Sequence, residues 1–180
     1  MGPEDWEQQM LFGKTVLPIP QLAAMGHGHI SVQQLKPHLR EDIWNSYFKF
    51  AFVRNPYDRF ISTYFFLNRQ QLVPGRDETP HMKEAIQYRP YNSMLLVAPQ
   101  HRLIAERDGA IGVDYVARYE DIQSAYEHIC VKIGIPSKVL TQKNSSEHKP
   151  SRTYYDNELR KLVSEFYRTD FDFLGYDIQD

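Results

Sequence analysis

Apolar and polar positions along the chain follow two rhythms, and the switch between them is sharpest from Phe48 to Phe66, FKFAFVRNPYDRFISTYFF. Phe48 to Val53 is a short aromatic and β-branched run, which predicts a strand buried on both faces. Beyond Arg54-Asn55-Pro56 the period becomes helical, with Tyr57, Phe60, Ile61, Tyr64 and Phe65 on one apolar stripe. Asn55 suits the N-cap, Pro56 the first helical position and Asp58 the third. A strand therefore passes straight into a helix. Arg54 falls at its carboxyl end, beside N–H groups and a dipole that favour an anion. Open α/β sheets bind ligands at that edge. On the polar side of the helix, Asn55, Asp58 or Arg59, and Ser62 lie one above the other. A guanidinium at the strand end and a hydroxyl two turns along suit a phosphate gripped from two directions. The competing arrangement pairs Arg54 with a neighbouring carboxylate and leaves Ser62 an ordinary helix-surface residue.

The same rhythms place the other elements. Ser31 and Gln34 form a capping box, with Ile30 and Leu35 as its hydrophobic staple, so a helix starts near Val32 and runs to about Leu39. His27 and His29 lie just upstream, on one side of an extended approach. A helix N-terminus disfavours the imidazolium, and a neutral imidazole is what a general base requires. A surface loop and a metal pair compete with that reading, but zinc needs two further ligands that no Cys or HxxxH helix supplies.

Asn68 to Thr79, with Pro74-Gly75, reads as a surface loop. Thr79-Pro80 opens a helix with Met82, Ala85, Ile86 and Tyr88 inward. Tyr91 to Gln100 is apolar and irregular. Between His101 and Asp121, turning at Asp108-Gly109, Leu103, Ile104, Ile111, Val113, Tyr115 and Val116 read as two short strands or a strand with a hairpin. A helix from about Ile122 to Ile133 is ended by Gly134-Ile-Pro, and a last helix, about Asp156 to Tyr167, turns Leu159, Leu162, Val163 and Phe166 inward. Arg118 and Glu120, at a strand end, form an ion pair or cap, or else line a cleft.

Composition narrows the classes. With 180 residues the chain suits one domain, 1–180, with an irregular segment 1–24 and a core from 25 onward. A net charge of −2 with 24% charged residues advertises neither nucleic acid nor an anionic membrane as partner. The aromatic share of 13% suits a well-packed domain or a sugar-facing cleft. The single cysteine, Cys130, sits in a helical apolar pattern and reads as a buried structural thiol. No apolar run approaches the roughly 20 residues that span a bilayer, and the acidic MGPEDWEQQM start is unlike a signal peptide. The expected location is the cytoplasm if the chain is the complete product. Gly13-Lys14-Thr15 is not a Walker loop: Gln8 stands where its first glycine belongs, and Pro18 and Pro20 interrupt the helix that should follow.

VRNPYDRFISTY resembles the 3′-phosphate-binding segment of the carbohydrate sulfotransferases that use 3′-phosphoadenosine 5′-phosphosulfate (PAPS), among them the heparan sulfate 2-O- and chondroitin 4-O-sulfotransferases. The likeness continues through His27-Gly-His29-Ile-Ser, similar to a His-Gly-His-Val-Ser run, and Asp114-Tyr-Val-Ala-Arg-Tyr-Glu. It extends to the Thr141–Thr153 loop and the closing Asp170-Phe-Asp-Phe-Leu-Gly-Tyr. The resemblance implies an α/β, P-loop-NTPase-like sulfotransferase fold, a parallel sheet flanked by helices. It is N-terminally reduced, since the Pro-Lys-Thr-Gly loop for the 5′-phosphosulfate is not found. It implies PAPS as sulfuryl donor, no metal, a carbohydrate acceptor and, if the chain is part of an anchored enzyme, the Golgi lumen as its location. By position, Arg54 and Ser62 hold the 3′-phosphate, Lys149 and Arg152 are further phosphate contacts, His29 is the base and His27 assists it. Pro99-Gln100 resembles a pair found in bacterial relatives and carries no assigned chemistry. The alternative to an active enzyme is a non-catalytic relative that still binds the nucleotide or a sulfated glycan.

Overall fold

The structure is a computed structural model and describes residues 20–23, 29–141 and 149–179. Gly13-Lys14-Thr15, His27 and most of the 141–153 loop lie outside the described residues. The chain divides into two compact units, Met1–Lys49 with Arg102–Asp114, and Phe50–His101 with Tyr115–Asp180.

In the first unit, α1 (Pro20–Ala23) places a helical turn inside the segment expected to be irregular. The capping box forms as predicted: Ser31 Oγ accepts from Gln34 N at 3.3 Å, and Gln34 Oε1 accepts from Ser31 N at 2.9 Å. It opens α2 (Val32–Leu35), extended by a 3-10 turn over Lys36–His38. Next comes α3 (Glu41–Ser46), whose Trp44 is buried. The ammonium groups of Lys36 and Lys49 lie 5.5 and 5.2 Å from the Trp44 ring centroid, and each also meets a carboxylate, Glu106 at 2.6 Å and Asp114 at 2.8 Å. Where two short strands or a strand with a hairpin were expected, Tyr115 and Val116 do form a strand, while the hairpin shrinks to one antiparallel bridge, Ala105 to Ile111, around the Asp108-Gly109 turn. Leu103 and Ile104 belong instead to the single helical turn α7 (His101–Ile104).

The second unit holds a parallel sheet of β1 (Phe50–Val53) and β2 (Tyr115–Arg118), with Phe50 opposite Tyr115 and Val53 opposite Arg118. The strand was expected to be buried on both faces, but Phe50 and Phe52 are 42% and 39% exposed, while Val53 is buried. The face that Phe50 and Phe52 share is covered over β2, where Ala117 opposite Phe52 has 0% exposure, and only partly over β1. From β1 the chain enters α4 (Pro56–Asn68), and the whole predicted stripe is buried, with Phe60 and Ile61 at 0% exposure. That stripe packs with Met82 and Ile86 of α5 (Thr79–Gln87), Leu159 and Val163 of α9 (Asn157–Phe166), and Phe171 of α10 (Arg168–Leu174). Tyr88, expected inward, is 63% exposed, because α5 ends at Gln87 and α6 (Arg89–Asn92) starts in a new direction. The helix α8 (Ile122–Ile133) has the predicted bounds, ends on left-handed Gly134 and buries Cys130.

Candidate anion site at the strand-to-helix junction

At the junction, Asn55 caps α4 through its side-chain oxygen, which accepts from Tyr57 N at 2.9 Å. Arg54 is the first residue past the ladder, so its peptide groups have no strand partner. The Gln100 side chain supplies both: Arg54 N donates to Gln100 Oε1 at 2.9 Å, and Gln100 Nε2 donates to Arg54 O at 2.8 Å. The Arg54 guanidinium lies over the Tyr119 ring at 5.0 Å. Among the described residues no carboxylate pairs with it.

Ser62 sits half-buried on the same helix face as Asn55 and Asp58. Arg59 is spent elsewhere. Its guanidinium donates to the carbonyls of Leu96 at 2.7 Å and Ala98 at 2.9 Å and lies over the Tyr167 ring. The Asp58 carboxylate accepts from the Ser151 hydroxyl. Beside this face opens a cavity of about 340 Å³, lined by Asn55, Asp58, Ser151, Arg152, Tyr155 and Arg160 among others. Arg160 donates to Gln179 Oε1 at 3.1 Å, while its Nε is buried and finds no partner among the described residues. An anion on this face has Asp58 as a like-charged neighbour, and the guanidinium groups of Arg152 and Arg160 offset it.

The two strand-end charges both make structural hydrogen bonds. Arg118 donates to the Gly175 carbonyl at 2.6 Å and lies over the Tyr176 ring, closing the end of α10. Glu120 accepts from Asn55 N at 2.6 Å and from the Tyr176 hydroxyl at 2.9 Å. No ion pair joins them. The Tyr176 phenol is pushed well above its ordinary pKa, first by burial and then by the Glu120 hydrogen bond.

Of the residues singled out in the sequence, Arg54, Ser62 and Arg152 lie in the second unit around the first turns of α4, although Arg54 and Ser62 do not line the cavity that Arg152 lines. Lys149 is exposed, and its backbone N–H donates to the Tyr154 hydroxyl at 3.0 Å. His29 is exposed and belongs to the first unit. Sequence reasoning missed Gln100 and Asp170. The buried Asp170 carboxylate accepts from Gln100 N at 2.7 Å and His101 N at 2.8 Å, and lies 2.7 Å from His101 Nδ1. The only sequence signal was the Pro99-Gln100 pair and the acid opening the last motif.

The model of the sulfotransferase family matches residues 20–177, nearly the whole chain. The chain belongs to that family, whose general chemistry is sulfuryl transfer and whose members generally use PAPS. Comparisons with curated proteins and with solved structures return no significant match. Among the described residues no cluster of His, Cys, Asp and Glu is built to hold a metal ion, and no helix is long and apolar enough to cross a membrane.

Proposed function

We propose that this sulfotransferase moves a sulfuryl group from PAPS to a hydroxyl of a carbohydrate. The reading is carried by one observation: a guanidinium at the strand end, with its peptide groups fixed, that no carboxylate neutralises among the described residues. A buried or half-buried arginine left unpaired is costly unless an anion completes it. Arg54 would hold the 3′-phosphate by a charge-assisted fork and Ser62 by a neutral hydrogen bond, with Arg152 and Lys149 as further cations. PAPS, when bound, supplies the sulfuryl group and a phosphate leaving group.

The other parts of the chemistry belong to the protein. To His29, with His27 beside it in sequence, we assign removal of the acceptor proton, a contribution of about 10²–10⁴-fold for a positioned base. The remainder is alignment and cationic stabilisation of charge spread over oxygens, as in phosphoryl transfer.

Calorimetric titration with 3′,5′-adenosine bisphosphate, beside transfer of radiolabelled sulfate to heparan and chondroitin acceptors, tests the reading. Binding with transfer is expected. Binding without transfer replaces the enzyme with a nucleotide-binding relative, and absence of both overturns the proposal.

A further inference from the structure

Arg54 leaves the sheet where the ladder stops, and a residue there ordinarily has free backbone groups and a wandering side chain. Here one side-chain amide supplies the acceptor and the donor that a neighbouring strand would have given. The two bonds also fix the orientation of the amide, because the Arg54 N–H requires the oxygen and the Arg54 carbonyl requires the NH₂. Gln100 is itself held. It is buried, and its own N–H ends on Asp170, a carboxylate with 0% exposure. The segment leading to it is anchored by Arg59 on the Leu96 and Ala98 carbonyls and by the Tyr167 hydroxyl on the Val97 carbonyl at 2.6 Å. Amide, carboxylate and anchors converge on the backbone N–H and carbonyl of one residue, the one whose guanidinium no carboxylate pairs among the described residues.

We infer that Gln100 is a positioning residue for Arg54: held by Asp170, its amide clamps the Arg54 peptide so that the guanidinium leaves the strand end aimed at the nucleotide 3′-phosphate. The inference rests on the nucleotide reading above. The clamp does not touch the ligand; it narrows the directions in which Arg54 can point, so binding does not have to order the strand end first.

A clamp of this kind acts only on the part of the affinity that Arg54 supplies. The readout is therefore the preference for 3′,5′-adenosine bisphosphate over adenosine 5′-monophosphate, measured by calorimetry on the full chain beside a melting curve. Gln100→Leu removes both bonds. Gln100→Glu is isosteric, keeps the acceptor for Arg54 N–H, sets a carboxylate oxygen against the Arg54 carbonyl, and serves where Gln100→Leu fails to fold. Each variant is expected to reduce the preference at least about fivefold, the worth of one ordinary hydrogen bond, with affinity for the monophosphate unchanged. In an Arg54→Ala background the Gln100 change should have no further effect on the preference. A Gln100 variant that melts lower yet keeps the preference, while Arg54→Ala abolishes it, overturns the clamp and leaves the phosphate assignment standing. A preference that survives Arg54→Ala overturns the phosphate assignment itself.

Discussion

Arg54 owes its position to two residues that stand far from it in the chain. Gln100 is 46 positions away and Asp170 is 70 beyond Gln100. The strand end, the cap and the helix start were all legible locally, because each depends on neighbours within a few residues. The Gln100 and Asp170 contacts were not: a polar residue in an irregular apolar stretch shows no period, and only the fold reveals which backbone it satisfies. At this scale the expected outcomes are direct. Arg54→Ala should weaken 3′,5′-adenosine bisphosphate at least about tenfold, as loss of a charge-assisted hydrogen bond implies, read by calorimetry. His29→Ala should abolish sulfate transfer in the radiolabel assay while nucleotide affinity stays close to the parent value; an unchanged rate removes His29 as the base.

Among the elements, α4 was fully legible and β1 only partly so. The stripe of Tyr57, Phe60, Ile61, Tyr64 and Phe65 has one periodicity that fits, and all five side chains are buried. For β1, composition alone cannot separate a fully buried strand from one whose side chains stay part-exposed, since Phe50 and Phe52 are apolar either way. The exposed Tyr88 shows a related limit, because a stripe extrapolates past the point where the chain turns. Polar residues of α4 also divide in a way that the sequence leaves open: Arg59 ties α4 to the carbonyls of residues 96–98, whereas Ser62 remains on the candidate face. Arg59→Ala should strip the carbonyls of Leu96, Val97 and Ala98 of a charged donor and lower stability by about 2–3 kcal/mol, seen as a lower urea midpoint with an unchanged slope. A midpoint within error of the parent would show that the segment holds without it.

Across the molecule, both units carry carboxyl groups held below their ordinary pKa. For Glu78, burial pushes upward, but the Arg76 fork and the Tyr64 hydroxyl outweigh it. For Asp114 the cause is the Lys49 side chain and then the Lys49 N–H, and for Asp156 the Leu159 N–H and then Lys83. A carboxyl with a depressed folded pKa stabilises fully above its unfolded value, about 4, and loses that contribution as pH falls through the folded value. The melting temperature should therefore stay level from neutrality to about pH 5 and fall below about pH 4. Glu78→Gln should melt lower at neutral pH and show a shallower acid limb. A limb as steep as the parent's would assign the acid loss to other groups. In the first unit, a Cβ on Gly112 would meet Val32 Cγ1 at 2.5 Å and the Ile104 carbonyl oxygen at 3.1 Å. Gly112→Ala should cost about 1–3 kcal/mol, the range for overpacking, read as a lower denaturant midpoint; a midpoint equal to the parent's would mean that Val32 simply moves aside.

The parallel ladder joins Phe50 to Tyr115, so more than sixty residues must be looped out before its first rung can close. Such long-range pairing is entropically late in folding, and the edge that presents Arg54 does not exist until it happens. A nucleotide that recognises this edge can therefore hold the finished protein together but cannot help it to form. In stopped-flow experiments 3′,5′-adenosine bisphosphate should slow unfolding in proportion to its occupancy and leave the refolding rate untouched.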